Sequence, residues 1–172
     1  MKLLVLDGNS IFNRAYYALP VLNDKGGKNI NAVYGFMNIL VKATTELNPT
    51  HIAVAFDKRG HNFRKDIYQG YKATRRPMPD DMARQMPVLQ ELLADMKIKT
   101  VDSAGVEADD IIGTLTKRFG VPTLIITGDK DMFQLVDEKT TVLLTKRGVS
   151  ETEAVTPALL LENYGLKAEQ GQ

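Results

Sequence analysis

Five short apolar runs constrain the fold of this chain more than any other feature: KLLVLD (2–7), HIAVAFD (51–57), KIKTVDS (97–103), TLIITGD (123–129) and TTVLLTK (140–146). Each is brief, rich in Val, Ile, Leu and Thr, and closes on turn-forming residues, which predicts strands. Most are apolar at successive rather than alternate positions, so both faces must be covered, as in a parallel sheet between layers of helices. The intervening segments SIFNRAYYAL, NAVYGFMNILVKATTEL, DDMARQMPVLQELLADM and EADDIIGTLTKRF repeat apolar residues at helical spacing. Strand alternating with helix predicts an α/β fold with a mainly parallel central sheet flanked by helices. Pro87 interrupts the third helical segment, which is expected to start, kink or restart there. No internal repeat or low-complexity tract is present.

Composition narrows the chemistry. At 172 residues, 44% hydrophobic and 25% charged, the chain has the length and balance of one globular domain. It contains no cysteine, which excludes disulfides, thiol catalysis and cysteine-ligated zinc and suits a reducing cytoplasm. With His51 and His61 as its two histidines, a histidine-built metal site or a Ser-His-Asp triad is a poor fit. The apolar run in MKLLVLDGNS is too short for a signal peptide, and no stretch approaches the roughly 20 apolar residues of a membrane span. A net charge of +1 says less than where the charges fall.

Six acids fall where strands are expected to give way to helices. Asp7, Asp57 and Asp129 close three strands, Asp131 opens the next helix, and Glu107 and Asp109 begin the helix after KIKTVDS. The carboxyl ends of the strands form the ligand-binding rim of an open α/β sheet, so all six are expected to project to one edge. Charge serving solubility alone would scatter over helix faces. Carboxylates gathered in this way repel unless something neutralises them, and no matching set of arginines or lysines sits at those strand ends. Oxygen-only ligation suits Mg²⁺ or Mn²⁺, and two such ions about 4 Å apart form the clamp used in phosphodiester cleavage. Taken singly, each acid has an ordinary alternative as a helix cap or turn residue. That alternative is strongest for Asp110 in GVEADDIIGTL, which in a metal site would stand behind the ligands.

Two connections add a partner class. KRGHNFRKDIYQGYKATRRPMPDD (58–81) is far longer than the roughly 2–6 residues usual between strand and helix. Up to position 76 it carries Lys58, Arg59, Arg64, Lys65, Lys72, Arg75 and Arg76 against Asp66, with Tyr68 and Tyr71 interleaved. A solvated charged loop is the ordinary reading, but its place directly after Asp57 favours nucleic acid: cations for the polyanionic backbone, tyrosines for stacking. PVLNDKGGKNIN (20–31) is rich in Gly, Asn and Lys and reads as a mobile loop. Its GGK lacks the frame of a phosphate-binding Walker loop, leaving at most a backbone contact to duplex DNA.

Jointly, LDGNSIFNRAYYAL, NAVYGFMNIL, AFD, FRKDIYQGYKATRRPMPDD, GVEADDIIGTL and TGDKDMFQLV resemble the 5′-nuclease domain of bacterial DNA polymerase I, within the PIN-like flap-endonuclease superfamily. The resemblance runs in order from Met1 to about Gln170. It implies a PIN-like, Rossmann-like core with a basic helical arch over the active site. Asp7, Asp57, Glu107 and Asp109 would hold a first divalent cation, and Asp129 and Asp131 would contribute to a second. Lys72 and Arg75 would contact the scissile phosphate and offset its developing charge, Tyr71 would stack on the terminal base, and Arg64 and Arg76 would contact the backbone. Substrates would be 5′ flaps, nicked duplex DNA or RNA primers, cut by a monomer in the bacterial cytoplasm at the nucleoid.

In that family a Gly-Asp-x-x-Asp acid pair and a helix–hairpin–helix follow the segment corresponding to ENYGLKAEQ. This sequence ends at GQ, so the expectation is a nuclease core over 1–170, with its arch at 58–81, no helix–hairpin–helix subdomain, and a second metal site short of ligands. Two alternatives stay open. A PIN-type endoribonuclease shares the acids but ordinarily lacks a long basic arch. A non-catalytic DNA-binding fragment would keep the arch without turnover.

Overall fold

β1 (Leu3–Asp7) is buried along its whole length and, among the described residues, lies near the middle of a six-stranded sheet of order β3 (Lys99–Val101), β2 (His51–Ala55), β1, β4 (Thr123–Thr127), β5 (Thr140–Thr145), β6 (Thr152–Val155). The computed structural model describes residues 1–58, 76–146, 148 and 151–165. Within them β1 pairs in parallel with β2 and with β4, β2 with β3, and β4 with β5. β6 closes the sheet antiparallel to β5. The mainly parallel α/β architecture read from the alternation is present. β6 was not anticipated, because TEAV is four residues long and only its Val155 is fully buried.

Helices cover both faces. Along β1, Leu4 and Leu6 enter one core with α1 (Gly8–Ala18), α2 (Asn31–Leu47) and α3 (Asp80–Asp95), through Phe12, Phe36, Leu40, Leu89 and Leu93. Leu3 and Val5 enter the other, with α4 (Ala108–Phe119), a 3₁₀ helix (Lys130–Leu135) and α5 (Pro157–Tyr164), through Ile112, Met132, Phe133 and Leu160. Strand residues alternate between faces; burial on both sides explains the unbroken apolar runs. The strand order reverses between β1 and β4, with β2 on one side and β4 on the other. This is the kind of switch point at which open α/β sheets bind ligands.

Several local expectations change. α3 runs unbroken through Pro87; the helix tolerates the lost N–H because packing of Met82 before it and of Leu89 and Leu93 after it holds the flanking turns. The 20–31 segment is a folded hairpin rather than a loose loop. Asp24 Oδ1 accepts from the N–H groups of Gly26 and Lys28, and the Asn29 side chain accepts from Leu22 N and Asn31 N. α2 opens at Ile30, which supplies no side-chain cap. Instead Gln85 Oε1, from α3, accepts from Ala32 N (2.9 Å) and Val33 N (3.3 Å), while its amide donates to Asn31 Oδ1.

Candidate active site

Three of the rim acids, Asp7, Asp57 and Asp129, are held by backbone N–H groups that would otherwise be unpaired donors at helix starts. Asp7 caps α1: its Oδ1 accepts from Ser10 N at 3.2 Å, and its Oδ2 accepts from Thr127 Oγ1 at 2.9 Å. Asp57 Oδ1 accepts from Ala108 N, the first residue of α4, at 2.7 Å, and the Asp57 N–H donates to Asn9 Oδ1. Asp129 Oδ1 accepts from Asp131 N at 2.9 Å, capping the 3₁₀ helix. Capping and convergence are therefore the same arrangement for these three: the cap engages one oxygen and fixes where the rest of the carboxylate points. Asp57 and Asp129 lie two residues beyond β2 and β4 rather than at the strand ends. Of the three acids expected to close strands, Asp7 is the one that does. The irregular backbone after the other two strands turns their carboxylates into the rim.

Gly8 lets the turn from β1 into α1 pass tightly over β2, since a Cβ there would stand 2.8 Å from the Ala55 carbonyl oxygen and overlap the Phe56 ring. Asp7 is consequently almost wholly enclosed, at 4% exposure. Burial pushes its carboxyl up to about 7; the hydrogen bonds from Thr127 and Ser10 work against that rise, and the charges of Asp109 and Asp57 add to it. Burial disfavours the charged form and like charges reinforce the effect. A cation in reach would reverse both.

Asp7, Asp57, Glu107, Asp109 and Asp129 line one open cavity of about 780 Å³. Glu107 is buried at the N-cap of α4 and Asp109 lies in that helix's first turn. Among the described residues no three acids stand at the mutual spacing of a closed metal cage. The lining is nevertheless a hard-oxygen donor set around a space large enough for hydrated cations, which fits Mg²⁺ or Mn²⁺ bound largely through water and substrate oxygens. Asp131 is exposed and lies off the cavity wall, its N–H engaged by Asp129. Asp110, half-buried in the first turn of α4, is also off the wall.

Arg76 lies on the cavity wall. Arg64, Tyr71, Lys72 and Arg75 lie outside the described residues. The rim is not free of cationic side chains, as the strand ends alone suggested, because Arg14 reaches it from α1 and its Nε donates to the Gly148 carbonyl at 3.1 Å. Sequence reasoning missed Arg14, as it missed Ser10 and Tyr17, which share the wall. The signal was available: Asp7, Ser10, Arg14 and Tyr17 repeat at intervals of three and four, one polar face of α1, opposite the buried stripe of Ile11, Phe12 and Ala15.

Comparison with known proteins bears on the family and the fold. A family model described as "5′-3′ exonuclease, N-terminal resolvase-like domain" matches residues 2–165. DNA polymerase I of Bacillus subtilis is 43% identical over 172 residues, covering 98% of this chain and 20% of that protein. DNA polymerase I of Mycobacterium tuberculosis is 44% identical over 173 residues, covering 98% and 19%. The chain thus spans about a fifth of the length of the curated relatives it matches. Among solved structures, the T5 D15 protein co-crystallised with metal ions superposes with a TM-score of 0.73 at 17% identity, over 99% of this chain and 63% of that one. The catalytic core of Rad2 in complex with DNA substrate gives 0.57 at 18% identity, over 98% and 51%. At those identities the two structures speak to the shared PIN-like fold. The match across residues 2–165 and the identity to bacterial polymerases place this chain in the 5′-3′ exonuclease N-terminal, resolvase-like domain family.

Proposed function

We propose that this chain is the nuclease core of a structure-specific 5′-nuclease that hydrolyses phosphodiesters of 5′ flaps, nicked duplex DNA or RNA primers in replication and repair. The observation that carries the reading is five carboxylates, reached from β1, the β2 and β4 ends and the start of α4, on one cavity that Arg14 and Arg76 also line. Asp7, Asp57, Glu107 and Asp109 would hold one divalent cation, with Asp129 and Asp131 contributing to a second. Mg²⁺ and Mn²⁺ both suit the oxygen donors. Bound there, such ions supply a lowered pKa for a coordinated water and charge stabilisation on the scissile phosphate.

The chain's own residues do the rest. The N–H groups of Ser10, Ala108 and Asp131 aim the carboxylates, so little reorganisation is needed when substrate arrives. Arg76, at the cavity, meets the incoming phosphates, and Lys72 and Arg75 take the scissile-phosphate role that the family resemblance implies. Tyr71 stacks on the terminal base and Arg64 holds the backbone. Asp110 supports the ligands from behind. The protein works as a monomer at the nucleoid; no helix among the described residues is long and apolar enough to cross a membrane.

Incubation with a labelled 5′-flap duplex and Mg²⁺ or Mn²⁺, beside a chelator control and Asp109→Ala, tests the reading. Cutting near the junction that requires metal and disappears in the variant is the expected result. The openness of the acid cavity gives a second reading some footing, a DNA-binding fragment without turnover, and binding without cutting would select it. Cutting confined to single-stranded RNA would replace both with a PIN-type endoribonuclease.

A further inference from the structure

Three hydroxyl groups meet at the head of β4. Thr127, fully buried, donates from Oγ1 to Asp7 Oδ2 at 2.9 Å and accepts from the Asp129 N–H at 3.0 Å. A backbone N–H can only donate, so Asp129 occupies a lone pair of the threonine, and its single hydrogen is free to go to the Asp7 carboxylate. With Asp7 ionised, as a metal ligand must be, both bonds have one possible direction. Ser10 reinforces the junction from α1: its Oγ accepts from the Gly128 N–H at 2.8 Å while its N–H reaches Asp7 Oδ1. There is little slack, since a Cβ at Gly128 would stand 3.0 Å from Ser10 Oγ and 3.2 Å from Thr145 Oγ1. Thr145 donates to the Thr127 carbonyl at 3.3 Å, a contact with the strand rather than with either acid.

We propose that Thr127 is a positioning residue that joins Asp7 and Asp129, the ligands assigned to different cations, into one unit, so that the two ions are bound together rather than independently. The inference rests on the two-cation reading of the rim. A carboxylate free to rotate must be ordered each time it takes an ion; a hydroxyl shared between one carboxylate and the backbone carrying the other orders both beforehand. Partners behind metal ligands ordinarily carry a 10- to 100-fold share of metal affinity, in round figures, and about that loss is expected here.

Titration of the metal-free chain with Mn²⁺, following the loss of the free-ion EPR signal, separates the possibilities. Thr127→Val keeps the shape and strand preference of threonine and removes both bonds; Thr127→Ala removes them with less bulk. Thermal melts in chelator establish that each variant is folded. Both are expected to weaken uptake of both ions by about 10- to 100-fold, Thr127→Ser to bind within a few-fold of wild type, and Thr145→Val to change little. Four results would overturn the proposal: wild-type affinity in Val and Ala, a loss confined to one ion, failure of serine to restore binding, or an equal loss in Thr145→Val. Uptake of fewer than two Mn²⁺ ions by the wild type would instead remove the two-cation reading itself, which distinguishes the two failures.

Discussion

Asp7 and Asp81 both stand at the start of a helix, and their carboxyls shift in opposite directions. Asp81, in the first turn of α3, accepts from Tyr16 Oη at 2.6 Å and from Asn29 Nδ2 at 3.1 Å, and these bonds hold its carboxyl below the ordinary aspartate value. The same contact pushes the Tyr16 hydroxyl up to about 12. Asp7 also accepts two hydrogen bonds, yet burial carries it to about 7, with Asp57 and Asp109 adding to the rise. Around Asp81 neutral donors satisfy the charge and the arrangement joins α1, the 20–31 hairpin and α3. Around Asp7 further acids are gathered instead. Such a corner favours a cation from outside over a bare cluster of charges, which is how a binding site differs from a structural polar network.

Asp7→Asn should break the contrast most. A folded-state pKa raised from 3.8 to about 7 means that the metal-free fold retains a proton the unfolded chain has lost. This group therefore lowers stability progressively as pH climbs through that interval, and fully above it. The amide removes the penalty, so in chelator at pH 8 the variant should be more stable by about 2–4 kcal/mol, a melting-temperature gain of roughly 5–12 °C. It should also lose the stabilisation that Mn²⁺ gives the wild type. A lower melting temperature than wild type in chelator would show that Asp7 is not electrostatically frustrated.

Gln85→Ala should do the reverse on the structural side. It strips the cap from Ala32 N and Val33 N and should cost about 1–3 kcal/mol for buried donors left unpaired, read as a shift in urea midpoint with Mn²⁺ affinity unchanged. Altered Mn²⁺ affinity would mean that network and rim are one system. The smallest effect is expected from Tyr16→Phe. Asp81, with its lowered pKa, contributes stability that is present above 3.8 and lost as pH falls through its folded-state value. Without the tyrosine hydroxyl that acid-side loss should shrink, and a carboxyl NMR titration of Asp81 should move toward the ordinary value. An unmoved midpoint would remove the tyrosine from the explanation.

The sequence by itself determined the layers of this protein. Unbroken runs such as LLVLD and TLIIT demand cover on both faces, and alternation with helical periods leaves a parallel sheet as the way to provide it. That acids would gather on one rim was equally legible, because chain direction in a parallel sheet brings strand carboxyl ends to the same edge. What lay beyond local pattern was decided by contacts between residues far apart in the chain. TEAV became a strand only because β5 offered an edge, and α2 received its cap from Gln85 more than fifty positions away. Asp131 is exposed, and its N–H is taken by the Asp129 carboxylate that caps the 3₁₀ helix. Thr127 meets Asp7 across 120 positions, a hydrogen bond whose direction depends on two neighbouring strands arriving in register, and nothing in either segment alone specifies that.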